Sequence, residues 1–170
     1  MSKVIEILEE KLVPVAAWIG RNKHINGIRR AFVLMMPLLM IGSIFLMISA
    51  FPLPAYQKFM LETFGGNWKN VIDIPVSATF SLVGVYVAFL VAQQLANQFQ
   101  LDSVAVGLLS LASFLILTPL SKVEGMGSVL SFNWLGSKGM FIAMVIGIIT
   151  ANIFRFFVNK KILIKMPDGV

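Results

Sequence analysis

The chain has 170 residues, 58% of them apolar and 13% charged, whereas a soluble domain carries about 25% charged residues. It holds no cysteine and a single histidine, His24, which excludes disulfides, thiolate metal sites, catalytic thiols and a metal centre built on histidine. The net charge of +6 sits at the two ends, with Arg21, Lys23, Arg29 and Arg30 before the apolar part and Arg155, Lys160, Lys161 and Lys165 after it. Basic residues in those places flank membrane spans and face anionic lipid, so no nucleic acid is expected as a partner.

In chain order, residues 3–20 predict an amphipathic helix. Val4, Ile5, Leu8, Leu12, Val15, Ala16 and Ile19 recur at helical spacing, and Glu6, Glu9, Glu10 and Lys11 occupy much of the other face. The charges also break any signal-peptide core, and Pro14 should kink or restart the helix. Such a segment lies in the interface plane or packs on the protein's own loops. Residues 1–30 therefore form a basic, interfacial cytoplasmic unit.

Four charge-free apolar runs follow. A hydrocarbon core of about 30 Å takes about 20 helical residues. Spans are expected at about 31–51, 75–98, 103–120 and 136–158, making a four-span membrane domain over 31–158 and a basic tail over 159–170. Pro37 is placed in the first turns of span one, where a lost hydrogen bond is easily accommodated. Tyr56 and Trp68, in the loop 52–73, suit an interfacial position. A very short turn around Gln100 and Asp102 makes spans two and three an antiparallel hairpin. Gly125, Gly127 and Gly136 punctuate a second loop over 122–138. The fold class is all-α integral membrane: an interfacial helix and four transmembrane helices, with both termini cytoplasmic. The side holding the termini carries ten Lys and Arg, and the other side carries Lys58, Lys69, Lys122 and Lys138.

Two ladders of small residues stand out. Span two carries Gly84, Ala88, Ala92 and Ala96, and span four carries Gly139, Ala143, Gly147 and Ala151. Residues four apart share a helix face, and in lipid small residues permit close helix contact. The ladders predict tight packing, either within one bundle or between subunits as a homodimer. The hydroxyls of Ser43, Ser49, Ser77, Thr79, Ser81, Ser110, Ser113 and Thr118 are expected to bond within their own helices. The spans place no Asp, Glu, Lys or His near mid-membrane, which argues against an ion-coupled pump. No acid–base pair or Ser–His–Asp set is available, and no cofactor is expected. His24, Arg29 and Arg30 form the one polar cluster, suited to a cytoplasmic partner, a phosphate or lipid headgroups.

Several stretches resemble the lactose/cellobiose (diacetylchitobiose) family of phosphotransferase-system sugar permeases, the IIC components. They are His24-Ile25-Asn26-Gly27-Ile28-Arg29-Arg30-Ala31-Phe32, Met36-Pro37-Leu38-Leu39-Met40-Ile41-Gly42-Ser43, Asp102-Ser103-Val104 through Thr118-Pro119, Leu135-Gly136-Ser137-Lys138-Gly139-Met140-Phe141, and the ending Lys165-Met166-Pro167-Asp168. Arg30 departs from the family, many members of which carry an acidic residue there. The resemblance implies a bacterial inner-membrane permease that takes up a β-linked disaccharide for phosphorylation by a IIB protein, itself supplied through IIA. It also implies a dimer whose sugar-holding residues lie in a C-terminal half beyond Val170. This chain is then expected to be the scaffold half, without sugar-binding residues and inactive in transport alone. The alternative reading is a self-sufficient four-span protein such as a holin-like pore former.

Overall fold

The computed structural model describes residues 13–14, 17–125 and 127–162. Residues 13–14 and 17–21 are helical and exposed; the remainder of the expected interfacial helix and the tail beyond 162 lie outside the described residues. The elements are α1 (Lys23–Ser49), α2 (Pro54–Phe64), α3 (Trp68–Phe80), α4 (Val83–Gln98), α5 (Ser103–Leu117), β1 (Leu120–Val123), β2 (Gly127–Leu130), α6 (Phe132–Leu135) and α7 (Ser137–Asn159).

Helix α1 starts earlier than the apolar run at 31 suggests. Asn22 is extended, and its Oδ1 accepts from the amides of His24 at 2.9 Å and Ile25 at 3.4 Å, so the helix is capped there. Arg29 and Arg30 are consequently helical. Pro37 then falls in the helix interior, not in the first turns. Its missing amide leaves the Val33 carbonyl without its usual donor.

Three apolar helical stretches are long enough to cross a membrane: Lys23–Ser49, Trp68–Gln98 and Ser137–Asn159. The second is interrupted. Helix α3 stops at Phe80 and α4 restarts at Val83, with no proline or glycine at the junction. An unbroken helix would bond the Ala78 carbonyl to the Leu82 amide. Here the Tyr86 hydroxyl donates to that carbonyl instead, at 2.8 Å, pinning the two halves together.

Helix α5 is shorter than expected. Its 15 residues reach about 22 Å at 1.5 Å per residue, short of a 30 Å core. The chain leaves the helix at Thr118, and Leu120 already belongs to a strand, so span three does not run as a helix to 120. The loop 122–138 is also more ordered than its glycines indicate. Strands β1 and β2 pair antiparallel with Leu120 opposite Leu130 and Val123 opposite Gly127. Gly125 and Gly127 have φ near +83° and +78°, which close the hairpin at little steric cost.

Helix α4 is the centre of the bundle and packs on α7, α5 and α1. The antiparallel turn from α4 into α5 is tied off twice. Gln100 takes a left-handed conformation at φ 58°, with Leu101 N–H donating to the Ala96 carbonyl at 3.0 Å and Gln100 N–H to Asn97 at 3.2 Å. Asp102 Oδ1 then accepts from the Ala105 amide at 3.1 Å and caps α5. Helix α1 also lies along α3, where Ser49 donates to Asp73 at 2.5 Å. Trp68 is buried at this far end, edge-on to Tyr56 with ring centres 6.3 Å apart.

Candidate functional site

The two small-residue ladders meet each other. Gly84, Ala88, Ala92 and Ala96 on α4 and Gly139, Ala143, Gly147 and Ala151 on α7 are all buried, and the five alanines have no exposed surface. A Cβ on Gly147 would lie 3.2 Å from the Val91 side chain and 3.3 Å from the Ala92 amide nitrogen. A Cβ on Gly84 would lie 2.6 Å from the Leu135 carbonyl oxygen. The helices are therefore as close as their backbones allow, the condition under which dispersion contacts hold helices together in lipid. This surface packs inside one chain, which is one of the two uses the ladders admit.

A buried hydroxyl seals the other side of α4. Ser110 on α5 donates to the Ala88 carbonyl at 2.7 Å. The expectation of a bond within its own helix is thus corrected for Ser110, and likewise for Ser49, which donates to Asp73 on α3. Ser43, Thr79, Ser113 and Thr118 do bond carbonyls three or four residues back in their own chain segment.

The polar cluster divides. His24 turns into the bundle end, with Nε2 at 3.3 Å from Asn152 Oδ1 on α7 and its ring edge-on to Phe99 at 5.7 Å. Asn152 Nδ2 donates to the Ile148 carbonyl at 2.7 Å and, having two N–H donors, also lies 3.2 Å from Nε2, so the direction of the His24–Asn152 bond is set by the imidazole tautomer. Arg29 and Arg30 are exposed and take no part. In their place the structure brings Lys23 and Arg155 over the Phe99 ring, 5.9 Å and 4.4 Å from its centre. Phe99 and Asn152 were not singled out from sequence, and Arg155 was named only as one of the basic residues that follow the apolar part. Asn152 does carry a local signal, as a single amide inside an apolar helix. Phe99 carries none, because its role depends on where α1 and α7 end.

At the far end two open grooves adjoin Phe132. One, of about 290 Å³, is lined by Phe80, Ser81, Asn133 and Lys138 among others, and one of about 470 Å³ by Asn70, Asp73 and Ser77 among others. Among the described residues no three His, Cys, Asp or Glu side chains gather to hold a metal.

A helical bundle with an apolar exterior, a seam of glycine and alanine at its centre and cations at one end is a multi-span α-helical membrane protein. The chain belongs to the EIIC family of the phosphotransferase system: the family model described as "Phosphotransferase system, EIIC" matches residues 29–170. It is 39% identical over 179 residues to the lichenan permease IIC component of Bacillus subtilis (strain 168). It is 38% identical over the same length to the cellobiose-specific EIIC component of Geobacillus stearothermophilus. Both alignments cover 100% of this chain and 40% of the relative. The crystal structure of the transporter ChbC, the IIC component of an N,N'-diacetylchitobiose-specific phosphotransferase system, superposes with a TM-score of 0.85 at 42% identity. That superposition covers 96% of this chain and 40% of ChbC. The chain thus spans about two fifths of the length of the proteins it matches.

Proposed function

We propose that this chain forms the scaffold half of an EIIC permease for a β-linked disaccharide of the cellobiose or diacetylchitobiose type, and that alone it does not transport. The observation that carries this reading is the closed seam around α4. A helix enclosed by α1, α5 and α7, with Ala88, Ala92 and Ala96 fully buried, suits a rigid frame against which a second domain moves. The sugar class is taken from what the relatives are named for, lichenan, cellobiose and diacetylchitobiose. In this reading the sugar is phosphorylated by a IIB protein supplied by IIA, this chain is not itself an enzyme, and the sugar is held by a companion C-terminal half. The family membership speaks for this reading over the holin-like pore former.

The proposal has α1's start and α7's end on the cytoplasmic side of a bacterial inner membrane, and the basic ends of the chain support it. Homodimerisation through the membrane domain belongs to the proposal too. With the ladders consumed internally, it uses outward apolar faces such as Val33, Met36, Met40, Ile44 and Met47 on α1, all more than half exposed.

The test is uptake into liposomes. The chain alone, supplied with phosphorylated IIB, should accumulate no cellobiose or diacetylchitobiose phosphate. Adding the C-terminal portion of a homologous permease should restore uptake. Transport by the isolated chain would overturn the scaffold assignment.

A further inference from the structure

Lys23 at the start of α1 and Arg155 near the end of α7 come from opposite ends of the described chain, yet both charges converge on one half-buried ring, Phe99. His24 joins them edge-on at 5.7 Å and is held by Asn152. Like charges repel, and a phenyl face attracts a cation only weakly at an exposed site. A carboxylate would be the ordinary remedy. Among the described residues the one ion pair is Lys58 with Glu62 on α2, at the other end of the bundle. The nearest carboxylate in sequence, Asp102, is directed at the Ala105 amide. Lys160 and Lys161 extend the same positive surface, and Lys160 lies 5.9 Å from the centre of the Phe156 ring. Both are exposed, as are Phe156 and Phe157 beside them.

We propose that this basic end of the bundle binds the phosphodiester headgroup of an anionic phospholipid, shared between Lys23 and Arg155 beside Phe99. The apolar flank of α7, with Ile149, Ile153 and Phe156 exposed, takes the acyl chains. Arginine supplies a forked donor pair suited to phosphate and lysine a point charge. Basic pockets between transmembrane helices are where anionic headgroups are held. The site needs only that the bundle is embedded in lipid. It does not depend on sugar transport, so its failure and the failure of the scaffold reading are separate results.

The experiment uses the full chain in phosphatidylcholine nanodiscs with increasing phosphatidylglycerol, reading bound lipid by native mass spectrometry and Tm by circular dichroism. Wild type should enrich phosphatidylglycerol and gain Tm with it. Lys23→Gln and Arg155→Gln should each lower apparent affinity about fivefold, the equivalent of ~1 kcal/mol per basic residue at an anionic surface. Lys23→Arg with Arg155→Lys should retain it, as should Lys58→Gln at the far end. Equal enrichment in wild type and both Gln variants would overturn the proposal. So would an equal Tm gain from inorganic phosphate in pure phosphatidylcholine, which would make the site one for a soluble anion. Loss of binding to a phosphorylated IIB protein in the Gln variants, with lipid enrichment unchanged, would mark a protein-docking face and also sink it. The single Gln variants each keep one cation and Phe99, so lipid selectivity stays measurable if the swapped Lys23→Arg, Arg155→Lys variant does not fold.

Discussion

Asp102 shows how one side chain resolves a conflict in the charge pattern. By charge alone it is an oddity, an acid in a turn on the basic side of the protein. Its Oδ1 bond to the Ala105 amide explains it. The first amides of α5 have no partner in the helix, and a carboxylate there also meets the positive end of the helix dipole. Asp102→Ala should cost about 1 kcal/mol, seen as a lower Tm in detergent, and Asp102→Asn should recover most of it. Equal stability of Asp102→Ala and wild type would mean the turn is held by the Gln100 conformation alone. Ser110 carries a similar lesson. Its type promises a bond within its own helix, but position on the packed face sends it to the Ala88 carbonyl of a neighbour. Spacing cannot distinguish the two, because a hydroxyl bonds whichever carbonyl is nearer once the helices have met.

Among the elements, the α4–α7 pair decides the architecture. Two ladders of small residues at intervals of four were visible in the sequence, as was the consequence that each helix has one flat side. Which flat side meets which was not visible. The contact of Gly147 with Val91 and Ala92 now turns an expected interface effect into a folding effect. Gly147→Leu should overpack the seam and destabilise the single chain by about 3 kcal/mol, the upper range for core overpacking. Gly147→Ala, whose added carbon lies at 3.2 Å from Val91, should cost less than half of that. The measurement is thermal unfolding by circular dichroism together with mass by light scattering. A drop in mass with unchanged Tm would return the ladder to a subunit interface. The break between α3 and α4 belongs to the same scale. No residue at Ser81 or Leu82 announces it, since it arises where the first turn of α4 meets the Leu135 carbonyl and Tyr86 reaches back to Ala78.

At the scale of the molecule, the outward surface is apolar over most of its height. Met40, Ile116 and Phe141 are among the most exposed side chains, at 66%, 82% and 71%. Only lipid or another apolar protein surface makes that arrangement stable. The orientation is checked by the absence of native cysteine, which makes single-cysteine labelling clean. In inner-membrane vesicles of known sidedness, Lys160→Cys should react with an impermeant maleimide from the cytoplasmic face and Lys122→Cys from the opposite face. Labelling of both from one face would overturn the proposed topology.

Composition and charge placement were enough to establish the solvent, the helical class and which end of the bundle is basic. These follow from each residue's own transfer energy, which does not depend on the partner it meets. The order and spacing of the stretches at 24–32, 36–43, 102–119, 135–141 and 162–170 were enough to suggest the family. Helix limits were a different matter. Charge-free runs mark where lipid begins, not where hydrogen bonding stops, so Asn22 rather than Ala31 opens α1 and Leu117 rather than Leu120 closes α5. The pairing of the ladders, the reach of Ser110 across to α4, and the meeting of Lys23, Arg155 and His24 at Phe99 came only from the tertiary fold. Each joins residues from different helices, and a contact of that kind exists only once the backbones have been brought within van der Waals reach.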